Sequence, residues 1–387
     1  MRILIVLTYY RPHTSGLTIY VERLAKALVR RGHQVTVMTS RFDRSLARQE
    51  VKDGVRIVRI PVLFSISKGV IMPTFGYWAT KLALQHDVIH LHLPQFDAAG
   101  VALRGRVFGK PSVITYHCDL QLPSGLFNYF VNQVVHLMNN LAGIFAHKIV
   151  TYTQDFADHS PYLQRYANKV ATITPPVELP QAGEDKIKAF TQNQNPGNNH
   201  PVIGMATRFA SEKGVEVLLD ALPGILAKHP EALVLFAGQY ENVMGEEAYL
   251  NRLMPRIQQY QQDGHWRFLG TLNPDEMAAF YPNLDVLVVP SLNSTESFGL
   301  VQIEAFMNGV PVVASNLPGV RQPVRMTGMG AVAEIGDAAS LQAEVLKILD
   351  NPAHYKGDPP EVARRFAPDV TAQFYEELFE SLRGSRG

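Results

Sequence analysis

The first apolar run, Ile3 to Leu7, has no polar interruption, which is the pattern of a strand buried on both faces. A polar loop containing Gly16 follows. Val21, Leu24, Ala25, Leu28 and Val29 then recur at helical spacing, with Glu22 four residues ahead of Lys26. Gly32 ends that helix, and Val35 to Met38 predicts the next strand. The same order returns after residue 200. Val202 to Ala206 reads as a strand, and a polar loop carries Arg208, Lys213 and Gly214. Val217, Leu218, Ala221, Leu222 and Ile225 repeat helically, and Leu233 to Ala237 is the next strand.

Further apolar runs alternate with helical patterns at 55–60, 87–91, 112–115 and 148–152, then at 266–269, 286–289 and 312–314. Strand–helix–strand order of this kind predicts parallel sheets of the α/β class. Between the halves, "EDKIKAFTQNQNPGNNH" is polar and rich in Asn and Gln, and it reads as a linker or exposed excursion, with a domain boundary near residue 180. The segment "FAPDVTAQFYEELFESLR" is an amphipathic helix with no strand after it, able to pack on either half.

Length agrees with two domains, since 387 residues exceed the roughly 250–300 at which single cores stop growing. A composition of 46% hydrophobic and 18% charged residues excludes a disordered chain. The net charge of +1 gives no bulk attraction to nucleic acid. One cysteine, Cys118, excludes an internal disulfide and fits a reducing compartment. The opening "MRILIVLTYYRPH" lacks a small-residue cleavage site, and no run reaches 18 apolar residues. A cytoplasmic location is therefore expected, with the inner membrane face as the place of any peripheral contact.

Candidate chemistry lies where strands end, because open α/β sheets bind ligands beyond the carboxyl ends of their strands. In "STESFGLVQIEAFMNG", strand 286–289 delivers the chain to a helix over about 299–308, stopped by Gly309 and Pro311. The free amides of that helix start suit an anion, and Gly299 permits close approach. Glu296 precedes the helix and Glu304 lies more than a turn inside it, so the two would touch different parts of one extended ligand. The bland alternative is two solvated glutamates. Arg208 and Lys213, five apart after strand 202–206, either converge on a polyanion or are solvated charges beside Glu212. Gly238 and Gly270 follow strands and would let a base or ribose lie on backbone, unless they are plain turn glycines. His117 in "SVITYHCD" is either a cleft residue or a core histidine. Cys118 beside it points the other way along an extended chain, which argues against a Cys–His nucleophile. His90 and His92 share a strand face, but no third metal ligand is evident. No Gly-x-Gly-x-x-Gly or Walker loop follows either first strand.

Taken together, these residues resemble family-four glycosyltransferases of the GT-B fold, in which two Rossmann-like domains face each other across a cleft. "STESFGLVQIEAFMNGVPVVAS" is similar to their Glu-x7-Glu signature, which Glu296 and Glu304 fit. "RFASEKG" resembles the donor-phosphate motif, "TYHCD" the strand end carrying the active-site histidine, and "HTSGLTIYVERLAKALVRRGHQVTV" the first loop and helix. Ser15 stands before Gly16 where the family usually has two glycines.

The resemblance implies an acceptor-binding domain over 1–180, with the helix 368–387 packing back on it, and a donor-binding domain over 181–367. It implies a nucleotide-sugar donor, with UDP-sugars favoured and GDP-mannose open, and retention of configuration. Catalytic roles would fall to His117, Glu296, Arg208 and Lys213. Gly16, Arg208, Lys213, Gly238, Gly270, Glu296, Ser297, Phe298, Gly299, Leu300 and Glu304 would line the donor. The chain has no Asp-x-Asp motif, so neither a metal nor a cofactor is expected.

The acceptor would be a glycan, a lipid or a small-molecule hydroxyl. Segments 61–80 and 124–142 are apolar, the second with Asn128, Asn132, His136, Asn139 and Asn140 roughly on one face. They suit either a helix packed beside a wet cleft or a lipid-linked acceptor with peripheral membrane contact. Two other classes fit the architecture: a nucleotide-sugar epimerase, which needs no acceptor, and a non-catalytic sugar-nucleotide binding protein.

Overall fold

The computed structural model describes residues 1–66, 69–120 and 126–384. The chain divides into two compact units: Met1–Pro176 with Phe366–Gly387, and Val177–Arg365.

The first unit contains β1 (Arg2–Val6), β2 (Gln34–Arg41), β3 (Gln49–Lys52), β4 (Val55–Pro61), β5 (Phe64–Ile66), β6 (Gly69–Ile71), β7 (Val88–Leu93), β8 (Ser112–Tyr116), β9 (Lys148–Thr151) and β10 (Val170–Thr172). β5 and β6 form a hairpin, and the other strands lie in the order β10-β9-β8-β7-β1-β2-β4-β3. The ladders are parallel except at the edge, where β3 runs antiparallel to β4. Ile3, Leu4, Ile5 and Val6 are all fully buried, as a central strand covered on both faces requires. β1 leads through the helix Gly16–Arg30 to β2 on one side, while β7 flanks β1 on the other. The loops after β1 and β7 therefore part company, which makes this the unit's topological switch point.

Ser15 starts the helix Gly16–Arg30 with a capping box: its hydroxyl accepts from the Thr18 amide and its own N–H donates to Thr18 Oγ1. Serine thus has a structural use at the position where the resemblance suggests glycine. Tyr20, Val21, Leu24, Ala25 and Leu28 form the buried face. The C-terminal helix Pro368–Gly384 packs against this helix, burying Tyr375 and Phe379 completely. Each such aromatic is worth about 1.5–3 kcal/mol. The surface pairs Arg30–Asp369 at 3.1 Å and Arg31–Glu376 at 2.5 Å add little beside it.

The second unit contains β11 (Val202–Ala206), β12 (Leu233–Ala237), β13 (Trp266–Gly270), β14 (Val286–Val289), β15 (Val312–Ser315) and β16 (Gly330–Ala333). They form a parallel sheet in the order β13-β12-β11-β14-β15-β16. β11 turns through the helix Val215–Lys228 toward β12, and β14 through the helix Leu300–Met307 toward β15. The switch point of this sheet lies between β11 and β14.

The stretch expected to be a linker or an exposed excursion is partly a helix, Glu184–Gln194. Its polar sequence hid it, since none of its residues is buried. Phe190 holds it, with its ring 6.3 Å from that of Phe280. Among the described residues no helix is long and apolar enough to cross a membrane.

Candidate functional site

The switch point of the second sheet brings two sequence-distant charges together. After β11 the chain makes a short 3-10 turn, Ser211–Lys213, and enters the next helix through Gly214 at φ +69°. A Cβ on Gly214 would lie 2.1 Å from the Pro290 carbonyl oxygen, so only glycine lets this loop press against the end of β14. The Leu292 amide donates to the Glu212 carbonyl at 2.9 Å, tying the two loops. Lys213 Nζ then donates to Glu296 Oε2 at 2.7 Å. The other carboxylate oxygen of Glu296 accepts the Gly299 N–H at 2.9 Å, at the start of the helix Leu300–Met307. Glu296 is thus held at both oxygens, one by a cation and one by a helix mouth.

Arg208 pairs with Glu212 rather than with Glu296. Burial alone would raise the Glu212 pKa, but Arg208 and Lys213 outweigh it and hold the carboxyl below its usual range. The two basic residues of the loop therefore face different carboxylates, and of the two it is Lys213 that meets Glu296.

Glu304 is buried inside the helix, and its Oε2 accepts a hydrogen bond from the Tyr281 hydroxyl at 2.9 Å. Tyr281 itself is fully buried. Sequence reasoning missed it, because nothing at residue 281 marks a partner 23 positions away. Ser297 and Phe298 are buried between the two glutamates. Leu300 opens the helix, where first-turn amides have no intrahelical acceptor. Gly299 adopts φ +79°.

Gly238 has a packing reason of its own: at φ +144°, a Cβ there would lie 1.9 Å from the Thr207 carbonyl oxygen. Its N–H donates to the Gly270 carbonyl at 2.7 Å, so the ends of β12 and β13 are clasped beside the Arg208 loop. Gly270, at φ +70°, has open space where a side chain would stand.

The remaining predicted residues lie in the first unit. Gly16 is the first residue of its helix, with nothing near its missing side chain. His117 follows β8 and is buried. Its Nδ1 meets the Tyr152 hydroxyl, and its Nε2 lies 2.9 Å from His92 Nδ1. Tyr20 packs edge-on against it, with ring centroids 5.1 Å apart. His90 lies beside His92 with centroids 4.3 Å apart and the rings tilted by 40°, and its Nε2 lies 2.7 Å from Thr115 Oγ1. Thr115 Oγ1 is 2.6 Å from the Tyr375 hydroxyl, which is 2.8 Å from that of Tyr20. Burial depresses all three imidazoles: His90 and His117 to about 3, and His92 well below its ordinary value, with its histidine neighbours adding to the effect. They are neutral at physiological pH. His117 supplies the third histidine absent from the sequence argument, yet the His92–His117 spacing is that of a hydrogen bond. No cluster fit for a metal ion occurs among the described residues.

Of the asparagine stripe, Asn132, His136, Asn139 and Asn140 lie on the helix Leu126–Phe145. The Asn128 side chain, like Ser67 and Lys68 of segment 61–80, lies outside the described residues.

Two family models cover the chain. One, described as Glycosyl transferases group 1, matches residues 186–366, and the other, Glycosyltransferase Family 4, matches residues 14–180. A phosphatidyl-myo-inositol mannosyltransferase of Mycobacterium leprae is 28% identical over 100% of this chain and 98% of its own length. A glycogen synthase of Mycobacterium tuberculosis is 27% identical over 100% of this chain and 96% of its own. Among solved structures, Anabaena HepE in complex with UDP and glucose aligns at a TM-score of 0.79 and 20% identity, over 98% of this chain and 100% of that one. A sucrose-phosphate synthase from Thermosynechococcus elongatus aligns at 0.74 and 21% identity, over 99% of each chain. At these identities the structural likeness speaks for the fold, which is GT-B.

Proposed function

The chain belongs to the group 1 glycosyltransferases of family 4, and from that premise we propose that it moves a hexose, with retention, from a nucleotide-sugar donor to a hydroxyl of a lipid-linked acceptor. The donor reading rests on one observation above the others: Lys213 and Glu296 meet at the β11/β14 switch point, beside a helix start. A nucleoside diphosphate sugar is an elongated dianion with a polar ring at each end. Glu304, buried and steadied by Tyr281, is suited to ribose hydroxyls. Glu296 and the first-turn amides are suited to the sugar and the diphosphate. A UDP-sugar is the favoured donor. HepE, which has the same fold, was crystallised with UDP, while the relative from M. leprae carries a mannosyltransferase name.

In the reaction the bond between the sugar C1 and the diphosphate oxygen breaks, and a bond from the acceptor oxygen to C1 forms on the same face. The acceptor proton passes to the departing phosphate oxygen. Negative charge grows on that diphosphate, and Lys213, Arg208 and the helix amides stabilise it where it develops. No metal is needed in this account, because fixed cations and amides meet the charge.

The acceptor reading draws on the first unit. Its neighbouring helices Phe75–Gln85, Ala98–Val107 and Leu126–Phe145 contain no acidic residue. They expose Tyr77, Leu84, Leu103, Val107, Leu137 and Ile144. Such a face suits a lipid surface and a lipid-linked acceptor.

The direct test is mutational. Lys213→Ala and Glu296→Ala are each expected to lower sugar transfer by about a hundredfold or more, with melting temperatures close to that of the parent protein. Full transfer in both folded variants would remove the proposal.

A further inference from the structure

The second unit has a cavity of about 350 Å³ at the end of its sheet where β12 and β13 begin. Lys213 and Glu296 follow the opposite ends of the parallel strands β11 and β14, so the cavity stands apart from the candidate donor site. Its volume falls within the range of about 300–1,000 Å³ typical of small-ligand sites. One wall is the edge strand β13, through Trp266, Arg267 and Phe268, and another is the loop after the helix Glu184–Gln194. Asn195 shapes that loop: its carboxamide donates to the Asn199 carbonyl at 2.9 Å and accepts the Asn199 N–H at 2.8 Å. Arg267 Nη1 ties the strand to the residue before the loop, donating to the Asn193 carbonyl at 2.8 Å. Gln261, exposed in the last turn of the helix Glu247–Gln262, lines a further side.

The open strand edge supplies part of the chemistry. Val234 is registered against Trp266 and donates its N–H to the His265 carbonyl at 2.9 Å. In a parallel ladder the Trp266 N–H and C=O then point away from β12, and Phe268, registered against Phe236, repeats the pattern. Trp266 is only 2% exposed, and its indole N–H has no hydrogen-bond partner among the described residues. Arg267 forms no ion pair among the described residues. Beyond its Nη1 bond it keeps Nε and Nη2, the side of a guanidinium that grips a carboxylate or phosphate through two parallel bonds. Gln194 and Gln261 add carboxamides, which donate and accept as sugar hydroxyls do. No carboxylate is among the described residues that line the cavity. A cation with no opposing acid selects an anion, and the carboxamides beside it select hydroxyls.

We propose that this cavity is a second binding site, which takes a monosaccharide carrying one anionic group, phosphate or carboxylate, with Arg267 on the anion and Gln194 and Gln261 on the hydroxyls. The ligand binds together with a nucleotide sugar and not in its place, since the two sites lie at opposite ends of the sheet.

The test is tryptophan fluorescence and calorimetry on the full chain. Trp78 and Trp266 are its two tryptophans, so Trp78→Phe leaves the emission of Trp266 alone. The probes are glucose 6-phosphate and glucuronate, which separate phosphate from carboxylate as the anion. Methyl α-D-glucopyranoside is the neutral control and inorganic phosphate the bare anion. At least one anionic sugar is expected to shift the Trp266 emission saturably in the millimolar range, and an excess of UDP-glucose should leave that shift in place. Arg267→Gln should weaken the binding about tenfold or more, as loss of a charge-assisted pair implies. Gln261→Leu, at an exposed position, should weaken it about threefold to tenfold. If Arg267→Gln fails to fold, Gln261→Leu carries the test. The proposal is overturned if neither anionic sugar binds saturably, if UDP-glucose displaces it, if methyl α-D-glucopyranoside or phosphate alone binds as tightly, or if the folded variants bind as the parent does.

Discussion

Lys213 and Glu296 stand 83 residues apart in sequence and 2.7 Å apart in space. Neither residue type is unusual, and their meeting depends on Gly214, whose missing side chain lets one loop press on the other. The three buried histidines behave differently. His90, His92 and His117 are held neutral by burial, so the folded state refuses protons that the unfolded chain takes up near the ordinary histidine value of about 6.5. With folded pKa values depressed, their contribution to stability is complete above about pH 6.5 and is lost as pH falls from there toward 3. Urea titrations across this range should show up to about three protons taken up on unfolding, and His90→Phe should reduce that number by about one. A denaturation midpoint independent of pH between 4 and 7 would contradict this.

At the scale of elements, the helices Phe75–Gln85, Ala98–Val107 and Leu126–Phe145 present exposed apolar side chains with Lys81 and Arg106 among them and no carboxylates. Each exposed cation near an anionic surface is worth about 1 kcal/mol. Vesicles containing anionic phospholipid should therefore co-sediment the protein more than neutral vesicles do. Replacing Tyr77 and Leu84 by serine should lower that fraction severalfold. Equal absence of binding to both vesicle types would count against the membrane reading.

The same elements explain what the sequence could tell. Apolar runs announced β1, β2, β4, β7, β8, β9 and β11 to β15; most are strands buried on both faces, while β4 and β13, partly exposed, kept enough apolar residues beside Arg56, Arg59 and Arg267 to be read. β3 is "QEVK", a polar edge strand, and β16 is "GAVA", four residues with no bulky side chain, so neither has a signal of its own. The helix Glu184–Gln194 read as a linker because it buries nothing. In the candidate site, Glu296, Glu304 and Lys213 stood out by their position after predicted strands. Tyr281 did not, since its significance lies in what tertiary packing puts beside it.

For the molecule as a whole, two parallel α/β units with the GT-B fold each have a switch point. The second unit's holds a cation, a carboxylate and a helix start; at the first unit's, Gln95 is buried with its carboxamide unmatched among the described residues. The second unit's chemistry is the ground on which we propose it as the one that takes the charged donor. The donor assignment is the centre of the account, and binding tests it without knowledge of the acceptor. Thermal shift and calorimetry with UDP, UDP-glucose, GDP-mannose and ADP-glucose, on the parent and on Lys213→Ala, give the measurement. The account predicts that at least one nucleotide sugar, a UDP-sugar first, raises the melting temperature saturably, and that Lys213→Ala removes most of that rise. No shift with any nucleotide sugar, or an undiminished shift in Lys213→Ala, would contradict it.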